Sequence, residues 1–406
     1  MEASIAAATE FIPTSSASSG FYSDFRQSVA CPEIEAEGSG QIPIPEGAFA
    51  HLASVPVDRS GICAVAFDNI EELLWTGTAS GRVTSHYGAL VEKYTSFQAT
   101  SDGSEVRALL GSCAGVLALC SDSLRCQKRT GVCTYTHTSS SMHDMQSMLL
   151  LPNAPDSLVL GGFHDSLIQL DLSTAKETRV VQAHSDCAIL RANDKFILCG
   201  DTSGNVILRS FQSFEALHKL EAHKGSLSDF DVCGPNLVTC GYSIRLGQLS
   251  CDRFLMMYDL RTLRALPPIS LGFTPSFIRF LPTYSDHRIV VASQAGEFQV
   301  FEIGENGHPY QVDTQGMPLF SLDVCSTRQA IAFGDGAGFA HLFSDRIEPV
   351  FNVDSGPTEF ADPVSVLPQI SFQDNLAPLS VIAAPFSQDG RYLSDWPEEL
   401  CRRVYR

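Results

Sequence analysis

The sequence predicts an all-β fold, a closed β-propeller of seven blades. The clearest observation is a hairpin unit, EELLWTGTASGRVTSHYG at residues 71–88, in which two short apolar runs flank a polar turn. β-Branched and aromatic residues favour strands at 73–77 and 83–87. Ser80 and Gly81 supply the turn, because glycine adopts a positive φ at little cost.

The same unit recurs along the chain. Four clear copies are LVLGGFHDSLIQL (158–170), FILCGDTSGNVIL (196–208), IVVASQAGEFQVF (289–301) and IAFGDGAGFAHLF (331–343), and two weaker copies are VLALCSDSLRC (116–126) and LVTCGYSIRLG (237–247). Their spacing of roughly 40 residues is that of four-stranded propeller blades. Together with the first hairpin they predict seven blades between residues 62 and 343.

Several segments resemble a known family in their detailed sequence. They are the first hairpin, TEFADP (358–363), LAPLSVIAAP (376–385) and LSDWP (393–397). Together they resemble the catalytic-subunit family of the poly(A)-nuclease deadenylation complex, over its N-terminal WD-repeat propeller and the connector that follows. The resemblance covers nearly all of the chain after residue 45.

The chain is expected to have three parts. Residues 1–45 are rich in Ala, Ser, Thr, Glu and Gly, and this composition predicts a disordered segment. Residues 46–345 form the seven-bladed propeller. Residues 346–406 are an extended, proline-rich connector, since frequent prolines prevent long regular elements.

Closure of the ring requires one further strand. AFAHLASVPV (48–57) can supply it before the first blade begins at Ile62. The seventh repeat stops after Phe343, so we assign this strand to the outer edge of the seventh blade, where pairing removes an exposed edge.

Composition and charge narrow the classes of partner. A chain of 406 residues with 44% hydrophobic content can bury one large core. Its formal charge of -19 opposes contact with phosphate backbones, so no direct high-affinity nucleic-acid binding is expected from this chain alone. No basic flank precedes Arg26 and no apolar run approaches the ~20 residues of a membrane span. We therefore expect a soluble, cytosolic protein with no membrane partner.

The thirteen cysteines are predicted to be free thiols. Residues such as Cys120, Cys199 and Cys240 lie inside apolar strands, and no Cys-x-x-Cys pair occurs. Neither a disulfide framework nor a zinc site is expected.

Blade histidines and aspartates are predicted to be structural. In a regular blade a histidine before the innermost strand meets an aspartate in a later turn, so that buried polar groups find partners. The sequence keeps the histidine at His184 and His223, and the aspartate at Asp171 and Asp259. Metal ligands or general bases are the alternative, but repetition at blade spacing places these residues on different blades.

An inserted segment in blade five, SIRLGQLSCDR (243–253), is interpreted as a solvated loop, although inserted loops often carry function.

No catalytic or cofactor site is expected in this chain. GDGAGF (334–339) resembles a phosphate-binding loop, but a strand follows it where such a loop needs a helix, so a hairpin turn is favoured. Gly-x-Ser-x-Gly is absent, and no convergent cluster of ionisable residues can be identified. The resemblance implies that the two-metal carboxylates of the family's exonuclease, and the ubiquitin-hydrolase-like domain before them, belong to regions beyond Arg406.

The connector is the predicted partner-binding region. In the family it wraps a homodimer of the kinase-like regulatory subunit, and LSDWP resembles part of that contact. The candidate contact residues are Phe372, Leu376, Leu379, Phe386, Tyr392, Leu393 and Trp396. The alternative is that the connector folds back on its own propeller, mainly before Leu376.

The resemblance implies that this chain is the non-catalytic scaffold and recruitment region of a 3'-to-5' exoribonuclease complex that shortens poly(A) tails. The expected location of the complex is the cytoplasm, including P-bodies. The propeller would help to engage poly(A) tails coated with poly(A)-binding protein, by an indirect contact. An alternative function is a general propeller adaptor that presents substrates to another complex such as a ubiquitin ligase. A propeller enzyme with a site in the central channel is the third interpretation.

Overall fold

The computed structural model describes residues 47–245, 247–282, 287–305 and 307–353. The regular structure of these residues consists of 29 strands in seven antiparallel sheets. No helix among them has the length and hydropathy needed to cross a bilayer.

The first three blades follow one another in the chain, each with four strands in sequence order. Blade 1 contains β2 (Ile62–Phe67), β3 (Leu73–Thr78), β4 (Arg82–Tyr87) and β5 (Glu92–Gln98). Blade 2 contains β6 (Ala108–Ser112), β7 (Gly115–Leu119), β8 (Ser123–Gln127) and β9 (Cys133–Thr138). Blade 3 contains β10 (Met145–Leu151), β11 (Ala154–Gly162), β12 (Ser166–Asp171) and β13 (Lys176–Gln182).

The remaining blades complete the ring. Blade 4 contains β14 (Ile189–Ala192), β15 (Ile197–Gly200), β16 (Asn205–Arg209) and β17 (Ala216–Glu221). Blade 5 contains β18 (Leu227–Cys233), β19 (Asn236–Arg245), β21 (Phe254–Asp259) and β22 (Arg264–Ser270), with β20 (Gln248–Cys251) attached to β19. Blade 6 contains β23 (Phe277–Phe280), β24 (Arg288–Ala292), β25 (Glu297–Glu302) and β26 (His308–Gln311). Blade 7 contains β27 (Leu319–Val324), β28 (Ala330–Asp335), β29 (Phe339–Ser344) and β1 (Ala50–Pro56). The all-β, seven-bladed prediction is confirmed.

The chain closes its own ring through β1. This strand pairs antiparallel with β29, from Ala50 opposite Ser344 to Pro56 opposite Phe339. The predicted strand at 48–57 is therefore confirmed as the outer strand of blade 7. Because the first strand of the chain completes the last blade, the sheet edge of β29 is covered.

The ring has two faces, defined by the direction of its innermost strands. Each innermost strand begins on the entry face, which also carries the turns between second and third strands. Each ends on the opposite, exit face. The turn at Gly81 lies on the entry face with a φ of 79°. A Cβ there would stand 2.6 Å from the Ser104 carbonyl oxygen, so the predicted glycine turn is both strained and crowded for any other residue.

Blade 5 departs from the prediction in its insertion. Residues 243–253 form a second hairpin rather than an irregular loop, since β19 continues to Arg245 and pairs with β20. The hairpin is solvated as predicted, with Ile244 and Leu249 more than half exposed. LVTCGYSIR (237–245) is consequently part of one long strand rather than a hairpin, and the third strand of the blade is β21. Side-chain alternation explains the difference, because Tyr242 and Ile244 lie opposite Cys251 and Leu249 on one face of the hairpin.

Apolar side chains fill the spaces between blades. Trp75 is fully buried and packs with Phe97 between blades 1 and 2. The thiols of Cys120, Cys199 and Cys240 are buried and free, as predicted, whereas Cys113 and Cys133 are exposed. The GDGAGF segment forms the β28–β29 turn, which confirms the hairpin interpretation.

Candidate functional site

The predicted partner-binding residues of the connector lie outside the described part of the chain. They are Phe372, Leu376, Leu379, Phe386, Tyr392, Leu393 and Trp396. The structure does describe how the chain leaves the ring, at residues 345–353. This departure point is on the exit face, because β29 ends there.

Phe351 attaches the start of the connector to the core. Its side chain is 2% exposed, and its ring lies 5.0 Å from the ring of Phe67 at the end of the innermost strand of blade 1. The same apolar cluster includes Val91 of blade 1 and Cys325 of blade 7. Phe351 therefore covers the seam at which the chain closes the ring.

A carboxylate fixes the backbone at the same position. Glu72, in the turn between β2 and β3, accepts hydrogen bonds from the N–H groups of Phe351 at 2.6 Å and Asn352 at 3.0 Å. The Asn352 side-chain amide donates to the Glu71 carbonyl oxygen. Hydrogen bonds donated to a charged acceptor are stronger than those between neutral groups, so this pairing orders the chain as it leaves the propeller.

Blade 7 holds the opposite side of the segment. The Ser326 hydroxyl donates to the Phe351 carbonyl oxygen at 3.0 Å, and the Thr327 hydroxyl donates to that of Val350. We call Glu72, Ser326, Thr327 and Phe351 the exit clamp. It confirms, for residues up to 353, the alternative that the early connector folds back on its own propeller.

Ionisable residues converge on the innermost strands, contrary to the sequence expectation that no such cluster exists. The Asp229 carboxylate of β18 lies 2.6 Å from Arg279 of β23 and 3.6 Å from Arg191 of β14. Arg191 also lies 3.7 Å from Asp231. Sequence analysis missed this cluster because its residues come from separate blades, with Arg191 in blade 4, Asp229 and Asp231 in blade 5, and Arg279 in blade 6.

The charges of this cluster neutralise one another. Burial alone would lower the pKa of the Arg279 guanidinium, but Asp229, Asp231 and Asp323 raise it above its usual value. For Arg191, burial and the neighbouring Arg279 lower the pKa. Asp229 and Asp231 also accept hydrogen bonds from the backbone N–H groups of the adjacent blade. The arrangement links the innermost strands of neighbouring blades.

The histidine prediction is correct at His223 and wrong at His184. His223 Nδ1 lies 3.0 Å from Asp252 Oδ2, and its Nε2 lies 3.0 Å from the Thr239 hydroxyl, with the imidazole fully buried. Burial lowers its pKa, opposed by Asp252, so the pair is structural. His184 is instead exposed in a turn with a φ of 63°.

The predicted aspartates serve local turns. Asp171 accepts a hydrogen bond from the Ser173 N–H, and Asp259 from the Arg261 N–H, so neither meets a blade histidine. The histidine partner in blade 7 is Asp335, 3.1 Å from His341. Within the described residues no group of three His, Cys, Asp or Glu side chains is arranged to hold a metal ion.

Comparison with known proteins identifies relatives of this architecture. The family model described as PAN2 N-terminal matches residues 45–344. The mouse protein named PAN2-PAN3 deadenylation complex catalytic subunit Pan2 is 39% identical over 363 residues, which are 88% of this chain and 30% of that protein. The corresponding protein of Schizosaccharomyces pombe is 32% identical over 348 residues, 85% of this chain and 31% of that protein.

A solved structure shares the fold. The WD40 domain of Neurospora crassa Pan2 matches with a TM-score of 0.69 and 21% identity, and covers 75% of this chain and 97% of that domain. The similarity supports the propeller architecture. The chain spans about a third of the length of the curated relatives that it matches.

Proposed function

Because the chain belongs to the PAN2 N-terminal family, we propose that it is a non-catalytic scaffold and recruitment region of an mRNA deadenylation complex. Relatives that are up to 39% identical are named as catalytic subunits of the PAN2-PAN3 deadenylation complex. The propeller described above provides a closed ring, in which ion pairs join neighbouring blades.

The exit clamp is the observation that supports this function most directly. A partner-binding connector is useful to a complex only if it leaves its propeller in a defined direction. Glu72 and Phe351 fix the backbone of residues 350–352 on the exit face. The connector from residue 354 onward thus begins from a fixed point, and a partner bound to it is held near that face.

The proposed partner of the connector is the kinase-like regulatory subunit, as a homodimer. Phe372, Leu376, Leu379, Phe386, Tyr392, Leu393 and Trp396 supply the apolar contacts. Poly(A)-binding protein on poly(A) RNA is a second partner, engaged indirectly through the assembled complex. The proposed location is the cytoplasm, including P-bodies.

Poly(A) hydrolysis is proposed to require regions outside this chain. The relatives extend well beyond the matched part, which is 30% of the mouse protein. Two-metal phosphodiester cleavage needs carboxylates placed to hold both ions. The described residues contribute no such group.

Titration against the purified regulatory subunit tests the proposal. The 406-residue chain should bind, and a variant that ends at residue 353 should lose binding while its propeller melts at the same temperature. Removal of residues 1–45 is the matched control and should leave binding intact. Equal binding by the variant that ends at residue 353 would contradict a connector-based scaffold.

An RNA assay tests the non-catalytic part of the proposal. The purified chain should leave poly(A) intact with magnesium or manganese, and its affinity for poly(A) at physiological salt should be weak because of the charge of -19. Shortening of poly(A) that co-purifies with the chain through several columns would refute the proposal.

A further inference from the structure

A cavity of about 250 Å³ opens at the entry-face end of the central channel. Cys63, Glu105, Arg107, Gln146 and Phe320 line it, on or just before the innermost strands of four consecutive blades. None of these residues belongs to the exit clamp, which lies on the opposite face. The cavity is large enough for one long side chain.

Phe320 forms a rigid aromatic wall of this cavity. It is 45% exposed, although it occupies an innermost strand. Its Cε2 atom lies 3.0 Å from the position that a Cβ of Gly61 would occupy and 3.3 Å from that of Gly336. Two glycines thus leave room for one edge of the ring beside the backbone, and the ring lines the cavity with nearly half of the residue exposed.

Glu105 supplies the charge opposite the ring. Its carboxylate lies 3.0 Å from Arg107, and both side chains are about one-third exposed, at 34% and 36%. Burial, followed by a hydrogen bond to Glu105, raises the pKa of the Cys63 thiol to about 12, so the thiol stays neutral. An ion pair as exposed as Glu105–Arg107 is weak, and a second cation can compete for the carboxylate.

The surroundings favour a cationic ligand. Among entry-face loop side chains that the structure describes and that are not buried, eight are carboxylates and four are cations. Asp58 and Asp102 lie in the two loops that flank the cavity. Burial raises the pKa of Asp58, but hydrogen bonds, the largest from Ser80, outweigh it and lower the pKa; a hydrogen bond from Ser104 lowers the pKa of Asp102. Excess negative charge around a cleft raises the local concentration of a positively charged partner.

We propose that this cavity binds an arginine side chain presented by a peptide segment of a partner protein. The guanidinium stacks on the exposed face of Phe320 and pairs with the Glu105 carboxylate, in place of Arg107. The Gln146 amide oxygen accepts a further N–H. The inference concerns the entry face and does not depend on the proposed deadenylation function.

A model peptide tests the site on the full chain. Phe320→4-fluorophenylalanine provides a ¹⁹F NMR signal, and the probe is acetyl-Gly-Ser-Gly-Arg-Gly-Ser-Gly-amide. We expect a saturable shift, with affinity about fivefold weaker for the same peptide carrying neutral citrulline. Equal binding of the two peptides, or no saturable shift, would refute the proposal.

Two neighbouring variants should change affinity in opposite directions. Glu105→Gln should remove the preference for arginine over citrulline, whereas Arg107→Ala should strengthen arginine binding by freeing the carboxylate. Glu215→Gln, an exposed carboxylate on the exit face of blade 4, is the control and should change nothing. Weaker binding of the arginine peptide by Arg107→Ala would contradict the proposed competition for Glu105. Tighter binding of the same peptide with leucine in place of arginine would indicate an apolar ligand and refute the proposal. If Glu105→Gln does not fold, the comparison of the arginine and citrulline peptides on the chain that retains Glu105 still tests the proposal.

Discussion

The carboxylate of Asp323 accepts a hydrogen bond of 2.8 Å from the backbone N–H of Phe67. Asp323 belongs to the innermost strand of blade 7 and Phe67 to that of blade 1, so the bond crosses the seam where the ring closes. The β1–β29 pairing closes the outer edge of blade 7, and the exit clamp covers the seam on the exit face. Contacts at the inner strands, at the outer edge of blade 7 and on the exit face therefore all close the ring. Each of these contacts can be tested by its own substitution or deletion.

The outer part of the closure predicts a large effect of deleting residues 48–57. Blade 7 would lose β1 and expose the edge of β29, and the apolar contact between Phe49 and its cluster would be lost. We expect a clearly lower melting temperature, measured by differential scanning calorimetry.

A shorter deletion away from the ring closure provides the control. Replacement of residues 244–249 by two glycines shortens the β19–β20 hairpin, which lies off the four-stranded path of blade 5. This variant should melt close to the original chain. An unchanged melting temperature after loss of 48–57 would refute the closure by β1.

Glu72→Ala tests the exit clamp. The substitution removes the acceptor of the Phe351 and Asn352 N–H groups, and a charged hydrogen-bonding site of this kind contributes about 2 kcal/mol. We expect the free energy of unfolding to fall by that amount and cleavage by a protease to increase near residue 351.

Glu92→Ala is the matched control, because Glu92 is exposed on the outer strand of the same blade. It should alter stability little. If Glu72→Ala and Glu92→Ala behave alike in urea denaturation, the clamp contributes nothing measurable.

His86 predicts a loss of stability in mild acid. Burial lowers its pKa to about 4, and the hydrogen bond to the Val91 carbonyl oxygen only partly opposes this. The unfolded chain takes up a proton below pH ~6.5 while the folded chain does not, so stability falls as the pH decreases towards 4. For this one residue the loss between pH 7 and pH 5 is about 2 kcal/mol.

Denaturation at both pH values checks the assignment. In His86→Leu the difference between pH 7 and pH 5 should shrink by about 2 kcal/mol. Other buried histidines, among them His223 and His341, have pKa values lowered by burial and leave a residual dependence. A pH difference that is unchanged in His86→Leu would contradict the prediction.

Local sequence patterns were sufficient to predict the blades but not the contacts between them. Side-chain alternation and turn glycines are properties of neighbouring residues, and they located the closing strand and the hairpins of every blade except blade 5. The Glu72–Phe351 bond joins residues 279 positions apart, and the Arg279–Asp229 pair joins residues 50 apart. Such contacts exist only because the ring brings its ends and its innermost strands together.

The two turn histidines show the same limit within a single repeat. His184 and His223 have similar sequence neighbours, but only His223 has a buried aspartate within reach, at Asp252. In blade 4 the corresponding aspartate, Asp201, bonds to Asn205 of its own turn. A blade histidine can therefore be identified as structural only when the aspartate that it contacts in a later turn of the same blade is also known.

The last prediction contrasts two aromatic residues of the connector, Phe351 and Trp396. Phe351 is buried in the seam, so Phe351→Ala should reduce the free energy of unfolding by about 3 kcal/mol. Trp396 lies outside the described residues, within LSDWP, and we predict that it is an anchor for the regulatory subunit. Because tryptophan is frequent among interface hot spots, Trp396→Ala should weaken that complex roughly thirtyfold and leave the melting temperature of the propeller unchanged.

Calorimetry of each variant, together with a titration against the regulatory subunit, separates the two roles. Phe351→Ala should mainly lower the stability of the propeller. It should reduce partner affinity only modestly, because the connector loses its fixed starting point but keeps its apolar contacts. Trp396→Ala should mainly reduce partner affinity and leave the stability of the propeller unchanged. If Trp396→Ala instead lowers the melting temperature and binds the partner normally, the tryptophan packs on its own propeller, and the connector is then an internal strap of the ring.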